Sequence, residues 1–204
     1  MACAASPAPA PAPAAPAGLS PASRFLDADA SRVRSRSLDF PLELWLPDKP
    51  SWQIAQTPTW LDLEHRPSSS RLSLRTWRAE RLVQRGECEA QARLGRPTIP
   101  SVRSEAVVER RALSTPAGFD SELVVGVEPS ARGLSGYALV FGATVGGCYA
   151  AIFTTSVTGN DAELEVAARL GLVVDRILSR VRVRSVDERA PRRHLVVSPK
   201  SAPE

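Results

Sequence analysis

The chain has 204 residues, of which 43% are hydrophobic, a size and composition that fit one domain with a substantial core plus tails. Its net charge of +4 is spread thinly, because the region from Arg24 to Val181 carries 20 basic and 19 acidic residues. This balance argues against nucleic-acid binding, which requires a concentrated basic stripe. No run approaches the roughly 18–20 apolar residues of a membrane-spanning helix, so the chain as given is not expected to cross a bilayer.

The first 34 residues are predicted to form a disordered, Ala/Pro-rich tether. Within residues 3–23, nine are alanine and six are proline. Proline removes amide donors and fixes φ, and alanine offers little surface to bury, so this segment is expected to stay extended. We therefore predict a tether at residues 1–34, a single α+β domain at residues 35–182, and a loose basic C-terminal tail at residues 183–204.

A cysteine, Cys3, stands at the head of this tether. A cysteine followed by a low-complexity Ala/Pro/Ser spacer resembles the mature start of a bacterial lipoprotein. The resemblance implies that Cys3 is lipidated and that the domain is held in the cell envelope, in the periplasm or at the outer membrane. Ala2 suits the position before the cysteine, whereas Met1 and the missing charged and apolar parts of an export signal depart from the pattern. The alternative is an incidental Cys3 in a cytoplasmic protein.

The first part of the domain is predicted to contain four strands. Residues 38–45 alternate between apolar and other side chains, with Trp45 in the outward phase, which is the period of a half-buried strand. Trp52–Gln56, Trp60–His65 and Arg71–Trp77 are the next three. The leucines predicted to face inward are Leu38, Leu42, Leu44, Leu61, Leu63, Leu72 and Leu74.

A first helix is predicted over residues 79–94, where Ala, Glu, Arg and Gln dominate. Val83, Ala90 and Leu94 share the face that we expect to be buried. Strands are predicted to return at Val107–Leu113 and at Phe119–Val127.

A tight hairpin is predicted at Gly146-Gly147, between the strands Tyr137–Val145 and Cys148–Val157. A primed turn needs positive φ at both central residues, and glycine supplies it. Both strands are apolar on both faces, so we expect this hairpin to be central in the sheet and covered on both sides.

A second helix of about 20 residues is predicted after Asn160, with Glu163 as its capping-box partner. Apolar residues repeat at helical spacing along it. They are Leu164, Ala167, Ala168, Gly171, Val174, Leu178 and Val181.

The predicted fold class is α+β, an antiparallel sheet of about six to eight strands with two main helices packed on it. The order of the elements, with Pro50-Ser51-Trp52 after the first strand, resembles the small exported domains of the PsbP/DcrB type. That resemblance implies an α/β/α-type sandwich. It implies little about activity, since that fold serves varied binding and accessory roles.

Two cysteines lie within the predicted domain, Cys88 in the first helix and Cys148 at the start of the last hairpin strand. In an oxidising compartment they could form a disulfide, which is the pairing we predict for an exported domain. The alternative is two separate buried thiols, because cysteine packs as a small hydrophobe.

Three tryptophans, Trp45, Trp60 and Trp77, fall in the outward phase of their strands. Together they could form an exposed aromatic face that binds a protein partner or a small apolar ligand. The alternative is that a helix covers this face and the tryptophans form a second layer of the core.

No motif in the sequence specifies a reaction, a cofactor or a metal site. His65 precedes Ser68, Ser69 and Ser70, which makes a hydrolase conceivable, but Ser-rich loops are usually turns. We therefore predict a non-enzymatic binding or accessory module of the cell envelope that contacts the membrane by its lipid anchor only. The other hypotheses are a hydrolase-like enzyme using His65 with a loop serine or an acid, and a component of a secretion or surface assembly.

Overall fold

The computed structural model describes residues 29–35, 38–131 and 133–183. Cys3, and with it the predicted lipidation site, lies outside the described residues. The described strands are β1 Ala30–Arg34, β2 Leu42–Pro47, β3 Trp52–Gln56, β4 Leu61–His65, β5 Ser70–Arg78, β6 Val107–Leu113, β7 Asp120–Ser130, β8 Gly133–Thr144, β9 Gly147–Thr158 and β10 Arg182–Val183. The α-helices in this part of the chain are α1 Arg85–Gly95 and α2 Ala162–Arg176. Short 3-10 helices are formed at Lys49–Ser51, Arg66–Ser68, Ser104–Ala106 and Leu178–Arg180.

The described strands form two antiparallel sheets. Seven of them follow the order β3-β4-β5-β9-β8-β7-β6, and the other three follow the order β1-β2-β10. This arrangement confirms the predicted α+β class. The hairpin β8–β9 lies in the middle of the larger sheet, because its strands carry large apolar side chains on both faces and both must be covered.

The two helices cover opposite faces of the seven-stranded sheet. Cys88 and Ala92 of α1 pack against one face, in a cluster that includes Leu139 of β8. Val166 of α2 packs against the other face, in a cluster that includes Val140. Adjacent strand residues point to opposite faces, so the consecutive pair Leu139 and Val140 supplies both cores.

The three-stranded sheet packs on the same side as α2. Its middle strand, β2, turns Leu42, Leu44 and Leu46 into that core, and all three are fully buried. The sheet extends the folded part beyond the predicted limits. Ala30–Arg34 pair with β2, although they were assigned to the tether, and Val183 lies in β10, although it was assigned to the tail.

Helix α1 is shorter than predicted and buries a different face. It begins after Gln84, whose backbone N–H donates to the Glu87 carboxylate at 3.0 Å, rather than at residue 79. Cys88 and Ala92 are fully buried, whereas Leu94, predicted to face the core, is 83% exposed. The register follows from Cys88, because its link to β9 fixes which side of the helix meets the sheet.

Helix α2 also differs from the prediction in its start and its buried face. It follows Asp161 without a side-chain cap, so the capping box predicted from Asn160 and Glu163 is not formed. Val166, Leu170 and Val173 are buried on it, together with Arg169, while the predicted Leu164, Ala167 and Gly171 are exposed. The sequence contains two apolar stripes, and the stripe with the larger side chains is buried because it removes more apolar area from water.

The central hairpin turns one residue earlier than predicted. Thr144 pairs with Gly147, so Val145 and Gly146 are the two turn residues. Of these only Gly146 has a positive φ, at 73°, so the turn needs one glycine in the left-handed region. In the part of the chain that the structure describes, neither helix is long and apolar enough to span a membrane.

A candidate ligand cleft and two buried polar clusters

A cleft of about 670 Å³ opens beside the three-stranded sheet. Its volume lies within the roughly 300–1,000 Å³ typical of small-molecule sites. We call it the Trp45 cleft, and it is lined by Trp45, Thr115, Ala117, Ser179, Arg180, Val181, Arg182 and Val183.

Three separate parts of the chain build the Trp45 cleft. Trp45 points outward from β2 because the alternate residues Leu44 and Leu46 occupy the core. Thr115 belongs to the β6–β7 connection, and its hydroxyl donates to the carbonyl of Leu178 at 2.9 Å, which holds that connection against the segment after α2. Residues 179–183 complete the wall, and β10 pairs with β2 so that this segment stays beside Trp45.

Arginines dominate the charge around the cleft. The Arg182 guanidinium lies over the Trp45 ring, 5.0 Å from its centroid. On the neighbouring strands, Arg32 and Arg34 both contact Glu43, at 3.3 and 3.1 Å. A single carboxylate thus faces two guanidinium groups on the outer surface of this sheet.

Arg180 and Arg182 have no carboxylate partner among the described residues within 4.0 Å. Val181 between them is 1% exposed and extended, with φ −62° and ψ 134°. Arg180, the last residue of a short 3-10 helix at Leu178–Arg180, and Arg182 are both exposed on either side of this buried valine.

Trp60 and Trp77, predicted to share a binding face with Trp45, are buried at 4% and 7% exposure. The outward phase was assigned correctly, but α1 covers that face, and the indole N–H of Trp77 donates to Gln91 of α1 at 2.7 Å. Arg75 lies between the two rings, 4.6 Å from the Trp77 centroid and 5.7 Å from that of Trp60. Of the two interpretations of the tryptophans, the second core layer covered by a helix therefore holds for Trp60 and Trp77, and the shared exposed face is not formed. Trp60 and Trp77 form the second core layer, and Trp45 belongs to the other sheet.

An ion pair closes the edge of this tryptophan layer. Arg96 binds both carboxylate oxygens of Asp62, at 2.6 and 2.7 Å, and lies 4.3 Å from the centroid of Trp60. Burial alone would raise the pKa of Asp62, but the hydrogen bonds from Arg96 and Ser73 outweigh it and lower that pKa. Asp62 is therefore a structural anion rather than a proton donor at neutral pH.

His65 lies in a second polar cluster that has the components of a hydrolytic triad. Its Nδ1 is 2.7 Å from the Ser68 hydroxyl and its Nε2 is 3.3 Å from the Asp48 carboxylate. A neutral imidazole with its proton on Nε2 satisfies both contacts, donating to Asp48 and accepting from Ser68. Burial lowers the pKa of His65, and the hydrogen bond to Asp48 opposes this only in part.

The surroundings of this cluster make it a structural network. His65 and Ser68 are each 2% exposed, so a substrate has no access to the Ser68 hydroxyl. Arg169 of α2 donates to the Ser68 carbonyl at 2.7 Å and to the Thr155 hydroxyl at 3.0 Å. The cluster thus fastens α2 to the β4–β5 hairpin and to β9. Among the described residues, no group of three or more His, Cys, Asp or Glu side chains is placed to hold a metal ion.

A disulfide joins Cys88 to Cys148, which is the pairing that the sequence analysis predicted. Both residues are fully buried, and their Cα atoms are 5.5 Å apart. The bond links α1 to the start of β9, on the opposite face of the larger sheet from the Trp45 cleft.

Comparison with known proteins finds no matching family model and no matching curated protein. A solved structure from Bacteroides thetaiotaomicron is similar with a TM-score of 0.41 and 9% identity, over 74% of this chain and 47% of the other. LpqN, described as involved in cell envelope biogenesis of Mycobacterium tuberculosis, has a TM-score of 0.43 and 10% identity, over 84% of this chain and 100% of the other. The chain thus spans about half the length of the first protein. TM-scores this low support no conclusion about function, so the lipoprotein and PsbP/DcrB resemblances remain predictions.

Proposed function

We propose that this chain is a non-enzymatic module of the bacterial cell envelope that binds a small ligand in the Trp45 cleft. The disulfide between Cys88 and Cys148 is the observation that carries the location. Disulfides persist in exported proteins and are rare in the reducing cytosol. The tether that begins at Cys3 agrees with this location, since it resembles a lipoprotein start.

The burial of the His65 cluster supports a non-enzymatic role. A nucleophile has to reach the reacting atom of a bound substrate, and Ser68 is enclosed by the β4–β5 hairpin and by Arg169. The hydroxyls of Ser68 and Ser70 are 2.9 Å apart, and that of Ser70 is a further 2.9 Å from the Thr155 hydroxyl. These contacts use the groups in hydrogen bonds that hold the fold together.

The Trp45 cleft supports a binding role because it combines an aromatic ring, apolar side chains and a few polar groups, as ligand sites do. Of the four tryptophans, Trp45 is half-buried, whereas Trp52, Trp60 and Trp77 are buried. Trp45 is therefore the tryptophan that a ligand can contact.

The location is tested on the chain isolated from its own cells and unfolded in the presence of an alkylating reagent. We expect Cys88 and Cys148 to escape alkylation without reductant and to react fully after reduction, as read by mass spectrometry. Alkylation of both residues without reductant would show that the thiols are reduced and would overturn the envelope assignment.

Binding is tested with phenylnaphthylamine, a neutral apolar fluorophore that brightens when it leaves water. We expect the Trp45→Ala variant to bind the fluorophore at least about tenfold more weakly than the wild type, since central aromatic anchors dominate binding energy. Ile54→Ala is the matched control, because it removes an apolar side chain that is 42% exposed on β3, away from the cleft. Equal affinities in the wild type and the Trp45 variant would exclude the cleft as the site.

A further inference from the structure

The wall of the Trp45 cleft carries two arginines, Arg180 and Arg182, that form no ion pair within 4.0 Å with a carboxylate of the described residues. Thirteen pairs between an arginine and a carboxylate are formed among the described residues, and neither Arg180 nor Arg182 takes part in them. Most other arginines of the fold, including Arg32 and Arg169, contact a carboxylate. Two guanidinium groups that have no carboxylate partner among the described residues, in one concave site, favour an anionic ligand, because each can donate a charge-assisted hydrogen bond to it.

The two hydroxyl groups of the cleft, on Thr115 and Ser179, do not donate hydrogen bonds to a ligand. Thr115 donates its proton to the Leu178 carbonyl at 2.9 Å, and Ser179 donates its proton to the Asp175 carbonyl at 2.5 Å. Both hydroxyls are thereby left as acceptors, which repel an anion's oxygen atoms. The arginines are therefore the side chains of the cleft that would hold an anionic group.

The remaining lining of the cleft is apolar. Trp45 contributes its ring to the lining, and Ala117 and Val183 contribute methyl groups. An inorganic anion would leave this surface in contact with water, whereas a ligand with an apolar body would cover it.

We propose that the Trp45 cleft takes an anionic amphiphile, a small molecule with a phosphate or carboxylate head and an apolar body. The head contacts Arg180 and Arg182, and the body packs on Trp45 and Val183. This inference rests on the proposed function, because it names the class of ligand for the same cleft.

The test is calorimetric titration of the full chain with octyl phosphate, octanoate and octanamide, all below their micellar concentrations, and with inorganic phosphate. We expect the tighter-binding of the two anions, octyl phosphate or octanoate, to bind about tenfold more tightly than neutral octanamide. We expect inorganic phosphate to bind about tenfold more weakly than octyl phosphate. The comparison of octyl phosphate with octanoate shows which head group is preferred.

Variants assign the effect to the arginines. Arg180→Gln and Arg182→Gln should each weaken binding of the preferred octyl anion about tenfold, which is about 1.4 kcal/mol, and weaken binding of neutral octanamide by less. The loss for octanamide measures any damage to the apolar part of the cleft, which matters because Arg182 also stacks on Trp45. Arg81→Gln is the matched control, since this arginine lies just before α1, on the other side of the sheet, and its side chain is 77% exposed.

The outcomes separate this inference from the function on which it rests. If octanamide binds as tightly as the octyl anions, or if the arginine variants bind them like the wild type, the anionic ligand is excluded while the cleft remains a binding site. If inorganic phosphate binds as tightly as octyl phosphate, the amphiphile is excluded. If none of the octyl probes and no phenylnaphthylamine binds, both proposals fall.

Discussion

Replacement of Arg169 by methionine tests the account of the buried polar network. Arg169 is 3% exposed, and its guanidinium donates to the Ser68 carbonyl at 2.7 Å and to the Thr155 hydroxyl at 3.0 Å. It also lies 3.6 Å from Glu165, whose side chain is 11% exposed. Methionine retains an unbranched apolar stem and removes the charged donors.

The structure sets the size of the expected loss. Removal of one partner from a buried ion pair costs about 3–5 kcal/mol, because the remaining charge is left in a poorly solvated site. A buried carbonyl that loses its donor costs about 1–3 kcal/mol, and part of this is already contained in the first figure. We therefore expect Arg169→Met to lower the free energy of unfolding by about 3–5 kcal/mol in total.

Urea unfolding followed by far-ultraviolet circular dichroism measures this loss. The double variant Arg169→Met/Glu165→Gln should be more stable than Arg169→Met alone, because it no longer contains the largely buried carboxylate that has lost the Arg169 guanidinium. Arg71→Met is the surface control, with a side chain that is 62% exposed, and should change stability by less than about 0.5 kcal/mol. A loss below about 1 kcal/mol for Arg169→Met would show that the network contributes little and would refute the reasoning.

Three further predictions concern the disulfide, pH and helix packing. Replacing Cys88 and Cys148 by alanine should lower the free energy of unfolding by about 4 kcal/mol, because the disulfide closes a loop across a separation of 60 residues. Denaturant melts with and without reductant should coincide for this variant but differ for the wild type. Because burial lowers the pKa of His65 in the folded state, the unfolded chain takes up this proton first as the pH falls; the stabilisation is therefore complete above pH about 6.5 and declines below it. Melting temperatures from pH about 7 to 5 should fall less for His65→Gln than for the wild type, and parallel curves would contradict the assignment. Gly136→Ala should lower the free energy of unfolding by about 1–3 kcal/mol, because the new Cβ would lie 2.6 Å from an α2 side-chain atom. Gly171→Ala should not destabilise the protein, because its new Cβ meets nothing within 4 Å. Equal calorimetric melting temperatures for the two variants would be inconsistent with this packing.

Strand alternation correctly predicted which leucines of β4 and β5 face the core, and this prediction needed only the local sequence. Leu61 pairs with Leu74 and Leu63 with Leu72, and all four are buried on one face as predicted. A period of two fixes which residues share a face, and it is readable without knowledge of the partner strand.

The phase of α2 was not readable in this way, because two stripes of apolar residues compete along the helix. The packed stripe contains Arg169, whose presence inside the core depends on acceptors near residues 68 and 155. A helical pattern gives no information on such distant partners, so an arginine in the sequence is assigned to solvent by default. The prediction therefore assigned the wrong face of α2 to the core, which placed Leu164 inside and Arg169 in solvent.

The tryptophans show a second limit. Trp45, Trp60 and Trp77 have the same outward phase, yet α1 covers two of them and leaves the third beside a cleft. Which layer covers a strand face depends on where a helix distant in the chain packs. Alternation alone could therefore not separate a second core layer from a binding surface.

Trp45 was named as a possible binding residue, but the arginine wall of its cleft was missed for a related reason. Its arginine wall lies where the sequence analysis placed the end of a helix and the start of a loose tail. A local signal was present, since Val181-Arg182-Val183 alternates as a strand does. The alternation is only three residues long, and its meaning depends on pairing with β2, which is about 140 residues away in the chain.

The two parts of the proposed function rest on opposite faces of the larger sheet and can therefore be judged separately. Cys88 attaches α1 on one face, and its oxidation state reports the compartment in which the chain folded. The cleft lies on the α2 side, and its position depends on the segment that Thr115 holds through the Leu178 carbonyl. A reduced chain would change the location but leave the cleft with the same lining, and a cleft that binds nothing would leave the location intact. Because Arg182 belongs to the cleft through backbone pairing with β2, its charge remains at the site in either compartment.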